Sequence, residues 1–96
     1  MSNFTFYSGR FSLLKELGSG ATASVHLAFD EKEQHQCALK ILAPSYVKHP
    51  EAFFRMKREF KSLKQIDDPH ILKIYEFFEE PLFFSMEFID GRSLAY

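Results

Sequence analysis

The chain has no tryptophan and one cysteine, Cys37. A lone thiol excludes an internal disulfide, so the fold must hold by packing, which fits a reducing compartment. An excess of charge is missing too. Twelve Lys and Arg against thirteen Asp and Glu leave a net charge of −1. That removes the basic footprint of a nucleic-acid or anionic-membrane binder. No apolar run approaches the roughly 18 residues that span a bilayer. The opening M-S-N-F-T-F-Y lacks the basic start and apolar core of a signal peptide. Repeats, low-complexity tracts and linkers are also missing. The expectation is a soluble, cytoplasmic piece of protein. What is abundant is phenylalanine, with twelve in 96 residues, inside a hydrophobic fraction of 46% that argues against disorder.

Apolar periodicity orders the chain as strand, strand, strand, helix, strand, strand. F-S-L-L-K-E-L (11–17) reads as a strand. G-S-G-A-T-A (18–23) reads as a loop. V-H-L-A-F (25–29) alternates, with Val25, Leu27 and Phe29 on one face. C-A-L-K-I-L (37–42) reads as the return strand of a hairpin. Pro44 and Pro50 bracket an irregular stretch, and Pro50 suits the first position of a helix. From there to Ile66, Phe53, Met56, Phe60, Leu63 and Ile66 recur at helical steps. The helix is expected to end at D-D-P-H (67–70), because the residue before Pro69 disfavours helical angles. I-L-K-I-Y-E-F-F (71–78) and L-F-F-S-M-E-F-I (82–89) read as two strands around an E-E-P turn. The fold class is α+β, a five-stranded antiparallel sheet packed by one main helix.

Lys40 interrupts an apolar strand, where an unpaired ammonium ion is costly. On a helical wheel of about 100° per residue, the apolar stripe spans an arc of roughly 140°. Glu59 is the charged residue inside it. A strand lysine often snorkels to solvent, and a flank glutamate is often merely solvated. A Lys40–Glu59 ion pair between sheet and helix makes both positions sensible together.

The loop at 18–23 matches two phosphate-binding patterns. The dinucleotide fingerprint G-x-G-x-x-G/A must open a helix and be followed by an acidic residue about 20 positions later. Here a hairpin follows, and twenty residues past Gly20 stands Lys40. The alternative is a flap between antiparallel strands, whose glycines let backbone amides approach phosphate oxygens.

At this point the chain resembles the N-terminal lobe of a protein kinase. L-G-S-G-A-T-A-S-V (17–25) resembles the glycine-rich loop, and C-A-L-K (37–40) resembles V-A-I-K. R-E-F (58–60) resembles the helix segment bearing the family glutamate. D-P-H-I-L-K-I-Y-E (68–76) and S-M-E-F-I-D-G-R-S-L (85–94) resemble the segment after that helix and the last strand with its hinge. The likeness covers residues 11–94 and is greatest to bacterial kinases of the eukaryotic Ser/Thr type. It implies a lobe at 11–90, an N-terminal extension at 1–10, and the hinge exit and start of a second lobe at 91–96.

The resemblance also implies roles. Lys40 contacts the ATP α- and β-phosphates and Glu59 holds it there. Gly18, Ser19, Gly20, Ala21, Thr22, Ala23 and Ser24 form the phosphate flap. Leu17, Val25 and Ala38 cover adenine, with the small Ala38 leaving room for the ring. Met86 is the gatekeeper. The Glu87 carbonyl and Ile89 amide bind adenine at the hinge, and Leu63 and Ile74 belong to the regulatory stack. Two positions depart from the pattern. Ala23 replaces the third glycine, and its methyl would stiffen the flap or hold it off the phosphates. Thr22 stands where the loop tip usually carries an aromatic. The catalytic-loop H-R-D-x-x-x-x-N and the Mg2+-binding D-F-G have no counterpart, so this chain alone is expected to be inactive. The intact protein would be a Ser/Thr kinase acting on a protein substrate. The alternative is a stand-alone or pseudokinase lobe acting as a binding or regulatory module. The isolated lobe is expected to self-associate through uncovered apolar surface. His26, His35, His49 and His70 lack metal-ligand spacing. Cys37 reads as an inert core residue, with a pocket-facing thiol as the alternative. The Phe pairs at 53–54, 77–78 and 83–84 read as filling both faces of the sheet, some left exposed.

Overall fold

A computed structural model describes residues 5–66 and 73–88. Six strands form one antiparallel sheet: β1 (Thr5–Tyr7), β2 (Phe11–Ser19), β3 (Ala23–Asp30), β4 (His35–Leu42), β5 (Ile74–Phe78) and β6 (Phe83–Met86). Their order is β1-β2-β3-β4-β6-β5. The hairpin expected at 25–42 is present as β3 and β4, paired from Ala23 opposite Leu42 to Asp30 opposite His35. That antiparallel pairing excludes the dinucleotide-binding alternative, which requires a helix after the loop and a parallel sheet.

The sixth strand is a correction to the expected five. β1 lies within the residues read as an N-terminal extension and pairs with β2. Ser8 and Gly9 carry φ of 57° and 68°, and the Arg10 amide donates to the Tyr7 carbonyl at 3.1 Å. Positive φ at both central residues suits the twist of a tight hairpin.

Two helices follow β4: α1 (Pro44–Val47) and α2 (Ala52–Lys64). The proline that opens a helix is Pro44, not Pro50. Ala43 before it takes extended angles, φ −62° and ψ 141°, as a residue preceding proline prefers. The main helix starts two residues later than expected and stops at Lys64, ahead of the acidic pair. Ile66 therefore lies beyond the helix and is 45% exposed, because the wheel ceases to apply past the Gln65 cap. The calls on 67–72 lie outside the described residues. Lys61 and Lys64 occupy the last turn, where positive charge complements the helix dipole.

Strand alternation sorts the core into two layers. On the helix side, Ala38, Leu42, Phe84 and Met86 cluster with Met56 and Ala52. On the other side, Cys37, Leu39 and Phe83 cluster with Phe11 and Ala28. The strand Phe pairs do fill both faces. Phe83 and Phe84 are fully buried on opposite sides. The helical pair divides differently: Phe53 packs inward and Phe54 is 70% exposed.

The sheet curls until its ends meet. Tyr7 and Phe11 place their rings 5.0 and 5.7 Å from that of Phe83. Arg10 closes the curl with two bonds to Asp30, at 2.8 and 2.7 Å, and one to Glu76 at 2.8 Å. A bulge between Ile74 and Glu76 puts Glu76 opposite Ser85, which turns its side chain toward Arg10. Hydrogen bonds to Asp30 hold the Arg10 guanidinium pKa above its ordinary value. Burial works against the Asp30 charge. The Arg10 bonds and the backbone amides of Lys32 and Glu33 outweigh it, so the carboxyl pKa lies below its ordinary value.

Candidate functional site: a glycine flap above an ion pair

Lys40 lies on the helix-facing side of β4, flanked by Val25 on β3 and Phe84 on β6. Helix α2 brings Glu59 to the same face. Phe60, next in the helix, sets its ring 5.7 Å from that of Phe84 and 5.3 Å from that of Phe77. This apolar contact fixes the helix over Lys40's own neighbour. The Lys40 ammonium donates to Glu59 Oε2 at 2.7 Å. The expected pair therefore forms across 19 residues of sequence. It is not sealed in the seam, since the side chains remain 24% and 34% exposed. The lysine stem follows apolar neighbours while its head reaches the open edge.

The flap is the turn between β2 and β3. β2 bulges between Glu16 and Gly18, which leaves Leu17 without a direct partner at the entrance to the loop. Gly18 pairs with Val25 and Ser19 with Ser24. The Gly20 amide donates to the Ala23 carbonyl at 2.9 Å, with Ala21 and Thr22 exposed at the tip. A Cβ added at Gly18 would meet nothing within 4 Å, and one at Gly20 only the Ala23 carbonyl oxygen at 3.9 Å. No contact within the fold requires glycine at either position. Ser24 and His26 share a face of β3 and are joined at 2.9 Å.

Deeper in, Ala38 and Met86 lie directly opposite each other, and both are fully buried. The room expected over Ala38 is not open surface. Its methyl belongs to a cluster against which Phe88, just past β6, also packs. Ile74 pairs with Met86 on the other side, and Leu63 packs against the same cluster. Glu87 is tied to the start of β5. Its amide donates to the Lys73 carbonyl at 2.8 Å, and its carboxylate accepts the Lys73 amide at 3.1 Å. Ile89 lies outside the described residues.

Cys37 faces the opposite layer, fully buried, and burial pushes its thiol up to about 12. The pocket-facing alternative is thereby excluded. A cleft of 330 Å³ between Arg10, His35, Lys64 and Tyr75 is lined by none of the residues expected to contact ATP, although Ile74 of the regulatory stack borders it. Among the described residues no three His, Cys, Asp or Glu side chains gather into a metal site. No described helix is long and apolar enough to cross a membrane. Sequence reasoning missed the Lys64 ammonium, which donates to the Ile74 and Tyr75 carbonyls at 3.3 and 3.2 Å. It ties the end of the Glu59 helix to β5. Its only local signal is a lysine in a last helical turn.

Comparison with known proteins agrees with this geometry. The chain is 36% identical over 89 residues to the serine/threonine-protein kinase PrkC of Bacillus subtilis, across 91% of this chain and 14% of that protein. It is 34% identical over 88 residues to the serine/threonine-protein kinase PknD of Mycobacterium tuberculosis, across 90% and 13%. The chain thus spans about one seventh of the length of the curated relatives it matches. The crystal structure of the Mycobacterium tuberculosis PknI kinase domain superposes with a TM-score of 0.66 at 26% identity, covering 95% of this chain and 37% of that one. The model of the protein kinase domain matches residues 11–96. The chain belongs to the protein kinase family, and its curled sheet and single main helix form the N-terminal lobe of that fold.

Proposed function

We propose that this lobe binds ATP for a protein Ser/Thr kinase whose intact form transfers the γ-phosphoryl group to a protein hydroxyl. The observation that carries the reading is the 2.7 Å contact between Lys40 and Glu59 at the open edge behind the glycine flap. An ammonium held by a carboxylate on another element is positioned rather than free. It presents fixed positive charge where a triphosphate would lie, and such transfer depends on positioning and charge stabilisation.

The remaining residues take roles consistent with their places. Gly18 to Ser24 form a flap whose glycines leave space that the fold itself does not need. Leu17 and Val25 stand at its base. Ala38 and Met86 line the back, where the buried packing around them would have to open to admit adenine. Glu87, held by Lys73, leads into the hinge with Ile89. Residues 11–90 make up the lobe together with the β1 hairpin contributed by the extension at 1–10, and 91–96 lead toward a second lobe. ATP supplies the phosphoryl group. Mg2+ ligands and the catalytic base would come from outside this chain, since neither family motif occurs in it.

The test is transfer of γ-labelled phosphate from ATP and Mg2+ by the full-length protein. Label is expected on Ser or Thr of a protein acceptor. ATP binding without any transfer would overturn the enzyme reading and leave a nucleotide-binding module.

A further inference from the structure

The third glycine of the flap pattern is replaced by Ala23, and the structure shows where the added methyl goes. Ala23 stands opposite Leu42 at the last rung of the β3–β4 ladder. Residues directly opposite in an antiparallel pair share a face, and Leu42 is buried in the helix-side cluster. Ala23, half-buried, packs against that cluster. The methyl therefore packs against the helix-side cluster, on the face that also carries Val25 and Lys40. Two backbone bonds join at this point. The Ala43 amide donates to the Thr22 carbonyl at 2.8 Å, and the Gly20 amide donates to the Ala23 carbonyl at 2.9 Å. The flap is thus fastened at its tip as well as its base.

We infer that Ala23 is a positioning residue that anchors the flap to the sheet and thereby strengthens nucleotide binding. The inference rests on the ATP-binding reading and goes beyond it. A glycine at 23 would lose the contact with the cluster and widen the backbone freedom of the loop. The ordered flap would then have to be re-formed on each binding event.

The experiment is Ala23→Gly in the full-length protein, with Ala23→Ser as the conservative variant that keeps a Cβ. Amide exchange without nucleotide is expected to speed up by about threefold or more at Gly20 and Ala43. Exchange at Cys37 and Phe83 should stay unchanged. KM for ATP should rise by about threefold while kcat at saturating ATP holds, and Ala23→Ser should restore both. Unchanged exchange at Gly20 and Ala43 would overturn the anchor, as would faster exchange spread evenly across the sheet. A protein that binds no ATP at all would instead defeat the functional reading, and the nucleotide-free exchange result would still decide the anchor.

Discussion

The two faces of this sheet each carry an ion pair, and the pairs are built differently. On the face away from the helix, Arg10 meets Asp30 through two bonds, with Asp30 only 4% exposed. The guanidinium also lies 4.9 Å from the Phe11 ring centre and reaches Glu76 at 2.8 Å. Two strand ends and the middle of β5 converge on one rigid fork. On the helix face, Lys40 meets Glu59 through one bond between flexible stems, both partly in water. The first pair joins elements that the sheet already fixes. The second joins sheet to helix, which are held together by side-chain packing and not by backbone pairing. A bidentate, enclosed pair stabilises the curl. A single, half-exposed pair contributes little stability, and is better placed to act on a ligand.

The contrast can be broken at either face. Arg10→Ala is expected to lower unfolding free energy by about 3 kcal/mol, since it strands a buried carboxylate. Urea denaturation reads this directly. Glu59→Gln should leave that denaturation curve close to wild type while reducing phosphotransfer by the full-length protein by about 10²-fold through loss of Lys40 positioning. A smaller effect appears in acid. Asp30 has a folded-state pKa below its unfolded value, so its contribution is complete above about pH 4 and fades as pH falls through the folded value. Denaturation midpoints between pH 5 and 2 should fall in wild type, and the fall should shrink in Asp30→Asn. The smallest effect is a null one. Cys37, fully buried with its thiol pushed up to about 12, should resist a thiol reagent in the native protein and react once urea unfolds it.

Legibility in the sequence follows the same division. The Lys40–Glu59 pair could be read because each partner breaks a local pattern, one in an apolar strand and one on an apolar helix stripe. The strand Phe pairs could be read because alternation is a property of neighbours. Arg10 and Asp30 break no pattern, since each sits beside a turn, where charge is ordinary. Glu76 lies in the middle of β5, and only the curl and the bulge before it bring the three together. β1 was missed although S-G at 8–9 sits between two apolar runs, a hairpin signal in its own right. Ile66 was misplaced because helical periodicity was carried past the helix end. The full burial of Ala38 depends on the packing of a cluster drawn from β4, α2, β5 and β6, which no spacing in the sequence reveals.

One substitution bears on the ammonium itself. Lys40→Met in the full-length protein removes the charge and keeps an apolar stem of similar length. Phosphotransfer should fall by at least about 10³-fold, with the unfolding free energy from urea denaturation unchanged within about 1 kcal/mol. Transfer that persists near the wild-type rate would contradict the role given to Lys40. A collapse of the urea midpoint would show that the pair stabilises the lobe and is not reserved for a ligand.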